Sequence, residues 1–67
     1  MITLYSTGCP QCNALEKKLD SAHIQYVVDE DVATMLAKGF QSAPMLEVDG
    51  KAMTFAEAVR WVNNYVD

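Results

Sequence analysis

Gly8-Cys9-Pro10-Gln11-Cys12 constrains this chain more than any other stretch. Ahead of it stands a β-branched and aromatic run, Ile2-Thr3-Leu4-Tyr5, and behind it a segment with helical periodicity, Asn13 to Ala22. The first reads as a strand from Ile2 to Ser6, continuous enough to be central and buried on both faces. Thr7-Gly8 is the turn out of it. The helix runs from about Pro10 to Ala22, since proline fits a first helical turn, where its missing N–H is not needed. Its apolar positions, Cys12, Leu15, Leu19 and Ala22, recur at spacings of three and four. Two thiols are thereby fixed at a strand-to-helix junction.

Cys9 falls at the mouth of that helix, where unpaired N–H groups and the positive dipole end favour an anion. The placement predicts a thiolate, and hence the nucleophile, at Cys9; in C-x-x-C motifs thiols ionise below the free value of about 8.5. Cys12 lies one turn in, on the same helix face, and is expected to be less exposed and less acidic. Dithiol exchange needs that asymmetry. Cys9 attacks a substrate disulfide, a mixed disulfide forms, and Cys12 resolves it. Other readings compete. Two cysteines can act simply as small buried hydrophobes, but these are the only two in the chain and they share one helix turn after a strand. A structural zinc site takes four ligands, and one C-x-x-C plus His23 falls short of that within one chain. The metal alternative is a cluster shared between two chains. A third reading is an interaction domain with an inert thiol pair.

At 67 residues the chain is expected to form one domain, residues 1–67, near the lower limit of what folds alone. Half of it is hydrophobic, so nearly every element must supply an apolar face. The formal net charge of −4 and the lack of a basic patch disfavour nucleic acid and anionic membranes as partners. Lys17 and Lys18 lie between Glu16 and Asp20 and read as a solvated helix face. No segment has the length of a membrane span. Met1 leads straight into a strand, so no signal peptide is expected. Two cysteines in a short chain of cytoplasmic character point to catalysis rather than a disulfide scaffold.

Ile24 to Val28 reads as a second strand, with Ile24, Tyr26 and Val28 on one face. Strand, helix, strand in this length implies a parallel pair. His23 reads as an exposed residue facing the negative end of the helix. Asp29-Glu30-Asp31 reads as the N-cap and dipole complement of a short second helix rather than a metal site. That helix carries Val32, Met35 and Leu36 and stops at Gly39, with Phe40 folded back onto its end. Gln41-Ser42-Ala43-Pro44 leads into a third strand, Met45 to Val48. Asp49-Gly50 is a two-residue hairpin turn, and Lys51-Ala52-Met53 returns as a short edge strand. Thr54-Phe55-Ala56-Glu57 is a capping box. It opens a last helix with Phe55, Ala58, Val59, Val62, Tyr65 and Val66 on its apolar side and Trp61 beside them in the core. The order βαβαββα predicts an α/β domain, a four-stranded mixed sheet flanked by three helices.

Taken in order, Leu4-Tyr5-Ser6 before Cys9-Pro10-Gln11-Cys12, Ser42-Ala43-Pro44 before a strand, and Val48-Asp49-Gly50 resemble the glutaredoxins and their thioredoxin-fold relatives. The resemblance covers essentially the whole chain. It implies a minimal thioredoxin (glutaredoxin-like) fold with Cys9 and Cys12 catalytic. It also implies a cis Pro44 in a loop beside the cysteines. The backbone of Ala43 would pair with an extended substrate or with glutathione, a form of strand addition, and Pro10 and Gln11 would border the same site.

Three positions depart from the glutaredoxin pattern. Gln11 stands where Tyr or a similar residue is usual, and Ser6-Thr7-Gly8 lacks the usual Lys. Ala52-Met53-Thr54-Phe55 replaces a Gly-Gly pair and its acidic or polar follower. Thr54, at a helix N-terminus, is left as a candidate for binding a carboxylate. These departures weaken glutathione as the dedicated reductant. The chain is also similar to the small glutaredoxin-like hydrogen donors of ribonucleotide reductase, which often have Gln before the second Cys and take electrons from thioredoxin reductase.

The resemblance thus implies a cytoplasmic, monomeric thiol–disulfide oxidoreductase with no permanently bound cofactor. Its substrate would be a disulfide-containing protein, ribonucleotide reductase being one candidate. Glutathione, as co-substrate, or thioredoxin reductase would supply the electrons. Some glutaredoxins instead hold an iron–sulfur cluster between two chains with glutathione, and that is the alternative.

Overall fold

In the computed structural model, which describes residues 1–65, β1 (Ile2–Tyr5) is a central strand. It is followed by α1 (Pro10–Ser21), β2 (Val27–Asp29), α2 (Val32–Ala37), β3 (Met45–Val48), β4 (Lys51–Met53) and α3 (Phe55–Asn63). The result is a small α/β domain with a four-stranded mixed sheet in the order β2-β1-β3-β4 and three helices. β1 runs parallel to β2 and antiparallel to β3, and β3 pairs antiparallel with β4.

Strand alternation divides the buried residues between two faces. Leu4 lies opposite Leu46, and Leu46 opposite Met53. These three meet Leu15 and Leu19 of α1 and Ala58 and Val62 of α3 in one core, where α1 and α3 also pack on each other. Leu4, Leu15, Leu19 and Leu46 are wholly buried, each contributing roughly 1.5–3 kcal/mol by leaving water. Tyr5, next to Leu4, points to the other face. Its ring meets Phe40 edge-on with centroids 5.1 Å apart. Lys38 lies over the same ring and pairs with Glu47 at 3.3 Å. This second face is thinly covered, because Met35 alone of the α2 residues is buried.

The hairpin and the last helix form as their residues dictate. Asp49 and Gly50 both take positive φ, 50° and 87°, as a two-residue turn matched to strand twist requires. At the start of α3 the Thr54 N–H donates to Glu57 Oε1 at 3.0 Å, and the Glu57 N–H donates to Thr54 Oγ1 at 3.5 Å. Trp61 packs at the edge of the core and lies 5.2 Å from the Tyr65 ring. Tyr65 itself is past the end of α3 and exposed, not part of its apolar stripe. Val66 lies outside the described residues.

The second strand differs from expectation. It begins at Val27, not Ile24. His23 adopts φ 58° and ends α1 in a paired turn, its N–H donating to the Asp20 carbonyl and that of Ile24 to the Leu19 carbonyl, both at 3.1 Å. Ile24 is therefore buried as the closing residue of a helix, packed in the Leu19 core. Ladder pairing starts with Val27 against Thr3. Val28, the partner of Leu4, remains exposed on this edge strand. β1 also stops one residue short, at Tyr5, although the Ser6 N–H still donates to the Asp29 carbonyl at 3.0 Å. No helix among the described residues is long and apolar enough to cross a membrane.

Candidate active site

The passage from β1 to α1 sets the two sulfurs. Gly8 takes φ 79°, a conformation that a residue without Cβ adopts freely. Its N–H donates to Ser6 Oγ at 3.1 Å, and Ser6 is buried. Cys9 then occupies the N-cap of α1 with extended backbone, φ −72° and ψ 164°, and Pro10 opens the helix. The cap position normally holds a side-chain oxygen that accepts from the N2 or N3 amide. Here the acceptor is sulfur: the Cys12 N–H donates to Cys9 Sγ at 3.2 Å. Both thiols are free; Cys9 is half-buried and Cys12 is wholly buried on the core side of α1.

Burial acts most strongly on the Cys12 thiol and pushes its pKa up. The Cys9 side chain, the Thr7 backbone, the Ser6 hydroxyl and the Cys9 backbone all act the other way, and together they bring it down from 9.0 to about 7. Thr7 Oγ1 lies 3.9 Å from the same sulfur. The sequence predicts Cys12 to be the less exposed and less acidic of the two; it is the less exposed, and this set of partners draws its own pKa down. Access distinguishes the two sulfurs, since Cys9 is half-buried and Cys12 wholly buried.

The loop after α2 closes the site from the other side. The Ala43–Pro44 bond is cis, and Pro44 is buried. The Ala43 carbonyl oxygen stands 3.9 Å from Cys9 Sγ. An open cleft of about 310 Å³ results, lined by Cys9, Thr7, Ser42 and Ala43 together with Val32, Met35, Leu36 and Phe40. Of the residues singled out in the sequence, Cys9 and Ala43 line this cleft. Cys12 is tied to Cys9 from beneath. Pro10 and Gln11 are exposed on the first turn of α1 and are not part of its wall.

Thr54 is not part of the wall either. Its N–H and hydroxyl are both engaged by the Glu57 carboxylate, at 3.0 and 3.1 Å. These hydrogen bonds hold Glu57 below the usual carboxylate range. The α3 N-terminus thus already carries its own anion. A larger concavity along the β2 edge, about 760 Å³ beside Tyr26 and Val27, contains no thiol or imidazole.

Ser6 and Thr7 are the functional residues that the sequence did not reveal. Both read as strand end and turn, yet both partner Cys12. The available signal was the polarity of Ser6 at the end of an apolar strand, where a buried hydroxyl must find partners. Among the described residues, no group of three or more His, Cys, Asp or Glu side chains is placed to hold a metal ion. No protein-family model matches the chain, and no curated protein matches it.

Proposed function

We propose that this domain is a thiol–disulfide oxidoreductase with a minimal thioredoxin (glutaredoxin-like) fold. The observation that carries the reading is the Cys12 N–H donating to Cys9 Sγ at a helix N-cap, with Cys9 reachable and Cys12 buried. The strand order and the cis Pro44 loop facing Cys9 support the fold assignment. The unpaired N–H groups and positive dipole end at the head of α1 favour a negative group where Cys9 stands.

Cys9 Sγ attacks one sulfur of a substrate disulfide. A Cys9–substrate bond forms, the substrate S–S bond breaks, and the other substrate sulfur leaves with the electron pair and takes up a proton. Cys12, deprotonated in turn, attacks Cys9 Sγ and expels the second substrate thiol. The substrate gains two electrons and two protons, and the protein is left with a Cys9–Cys12 disulfide. A thiol reductant, glutathione or thioredoxin reductase, then returns two electrons. The Ala43 carbonyl, 3.9 Å from Cys9 Sγ, supports pairing of that backbone with an extended substrate segment. A disulfide-containing protein such as ribonucleotide reductase fits as substrate. A dithiol that works as a reductant suits a reducing, cytoplasmic setting.

The test is reduction of a protein disulfide, insulin, with dithiothreitol as electron source. The protein should accelerate it, and Cys9→Ser should abolish the acceleration. An unaccelerated reaction with the wild-type protein contradicts the reading. Repeating the assay with glutathione plus glutathione reductase, and with thioredoxin reductase, identifies the reductant.

A further inference from the structure

The short helix α2 contributes little to the core. Val32 is 54% exposed and Leu36 is 70% exposed, and both line the cleft that holds Cys9. Large aliphatic side chains held in water beside a nucleophile, with polar residues around them, mark a contact surface. The charge at the head of this ledge has one sign. Asp29, Glu30 and Asp31 lead directly into Val32. Asp29 is the register partner of Tyr5, whose ring packs on Phe40 of the cleft wall, so the carboxylates begin on the cleft's side of the sheet. No residue lining the cleft is charged. Lys38, at the other end of α2, is paired with Glu47.

We infer that the Val32–Leu36 ledge selects the substrate, a protein segment whose disulfide cysteine is flanked by an aliphatic and a basic side chain. The inference rests on Cys9 acting as the nucleophile proposed above. The aliphatic side chain covers Val32 and Leu36 while the extended backbone passes Ala43. The basic side chain meets the carboxylates at the head of α2. A carboxylate-rich disulfide such as oxidised glutathione brings like charge to that rim and finds no cation in the cleft wall.

Three pentapeptides test this, each with its cysteine as a mixed disulfide with thionitrobenzoate: Lys-Leu-Cys-Leu-Lys, Lys-Gly-Cys-Gly-Lys and Glu-Leu-Cys-Leu-Glu. Attack of Cys9 on the peptide sulfur breaks the peptide–thionitrobenzoate bond and releases the coloured thionitrobenzoate anion with the electron pair. Cys12 then displaces the peptide thiolate. Stopped-flow absorbance gives the second-order rate, divided for each peptide by its rate with dithiothreitol to remove intrinsic reactivity. The aliphatic basic peptide should react about tenfold faster than the glycine peptide, the gain expected from partial burial of one aliphatic side chain, and at low salt it should outpace the acidic peptide through charge alone. High salt should collapse the basic-over-acidic ratio and leave the aliphatic-over-glycine ratio. The double variant Val32→Ser/Leu36→Ser, whose fold is checked by circular dichroism, should bring the aliphatic-over-glycine ratio close to one. Equal rates for the three peptides, or an aliphatic preference that survives the double substitution, overturn the inference. If the mercaptoethanol–thionitrobenzoate disulfide is also inert, the oxidoreductase reading fails with it.

Discussion

The backbone N–H of Cys12 donates to Cys9 Sγ across 3.2 Å, so the atom that caps α1 is also the atom proposed to attack substrate. Structure and chemistry can be separated at this position. Serine is a good N-cap and a poor nucleophile toward disulfides, whereas alanine is neither. Cys9→Ser should keep the stability of the reduced protein and lose disulfide reduction. Cys9→Ala should lose both, with a stability cost of about 1 kcal/mol. Urea unfolding of the two reduced variants reads the difference.

Cys12 is buried beneath Cys9, where it can reach a mixed disulfide that solvent thiols reach poorly. Cys12→Ser should therefore let the first step proceed and block the second. Mixed with an oxidised protein substrate, this variant should accumulate as a covalent adduct seen by mass spectrometry under non-reducing conditions. Reductant should release it.

Folding lowers the proton affinity of the Cys12 thiol, from 9.0 to about 7. A lowered pKa contributes stability that is fully present above the unfolded value and is lost as pH falls through the folded value. The melting temperature of the reduced protein should rise between about pH 7 and pH 9. Cys12→Ser should remove that part of the rise. Scanning calorimetry of the reduced forms across this window checks it.

Gly8 sits at φ 79°, and a Cβ built there meets no atom within 4 Å. The cost of Gly8→Ala is then the backbone conformation alone, about 1–2 kcal/mol. Gly8→Asn should cost less, since asparagine visits this region more readily. Equilibrium unfolding of both variants tests the order. Steric blockage would reverse it, because asparagine is the larger residue.

The Thr54–Glu57 box closes the start of α3. Thr54→Ala should cost about 1 kcal/mol. Hydrogen bonds from Thr54 hold Glu57 below the usual carboxylate range, so the stabilisation is lost as pH falls through that lowered value. Denaturation of wild type and Thr54→Ala should differ at neutral pH and converge in acid.

Where the sequence was readable, a local rule had a single solution. Asp49-Gly50 supplies two residues tolerant of positive φ, and Thr54-x-x-Glu57 supplies both halves of a cap, so β3, β4 and α3 fall where they were expected. Cys9-Pro10 fixes the start of α1 in the same way. Where tertiary context decides, the pattern misled. Ile24, Tyr26 and Val28 alternate like a strand, but His23 turns left-handed and makes Ile24 the closing residue of a helix. Val32 and Leu36 have helical spacing with Met35, but a helix of six residues buries only Met35. The roles of Ser6 and Thr7 depend on where the buried Cys12 sulfur lies, which the local pattern signals only through the polarity of Ser6 at the end of an apolar strand.

Access divides the proposed pair into an attacking and a resolving sulfur. Competitive labelling of the native, reduced protein near pH 7 with limiting iodoacetamide, read residue by residue by mass spectrometry, tests it most directly. Cys9 should be alkylated far faster than Cys12, and unfolding in guanidinium should make the two rates alike. Equal, slow labelling of both cysteines in the native protein, or labelling of Cys12 first, contradicts the account.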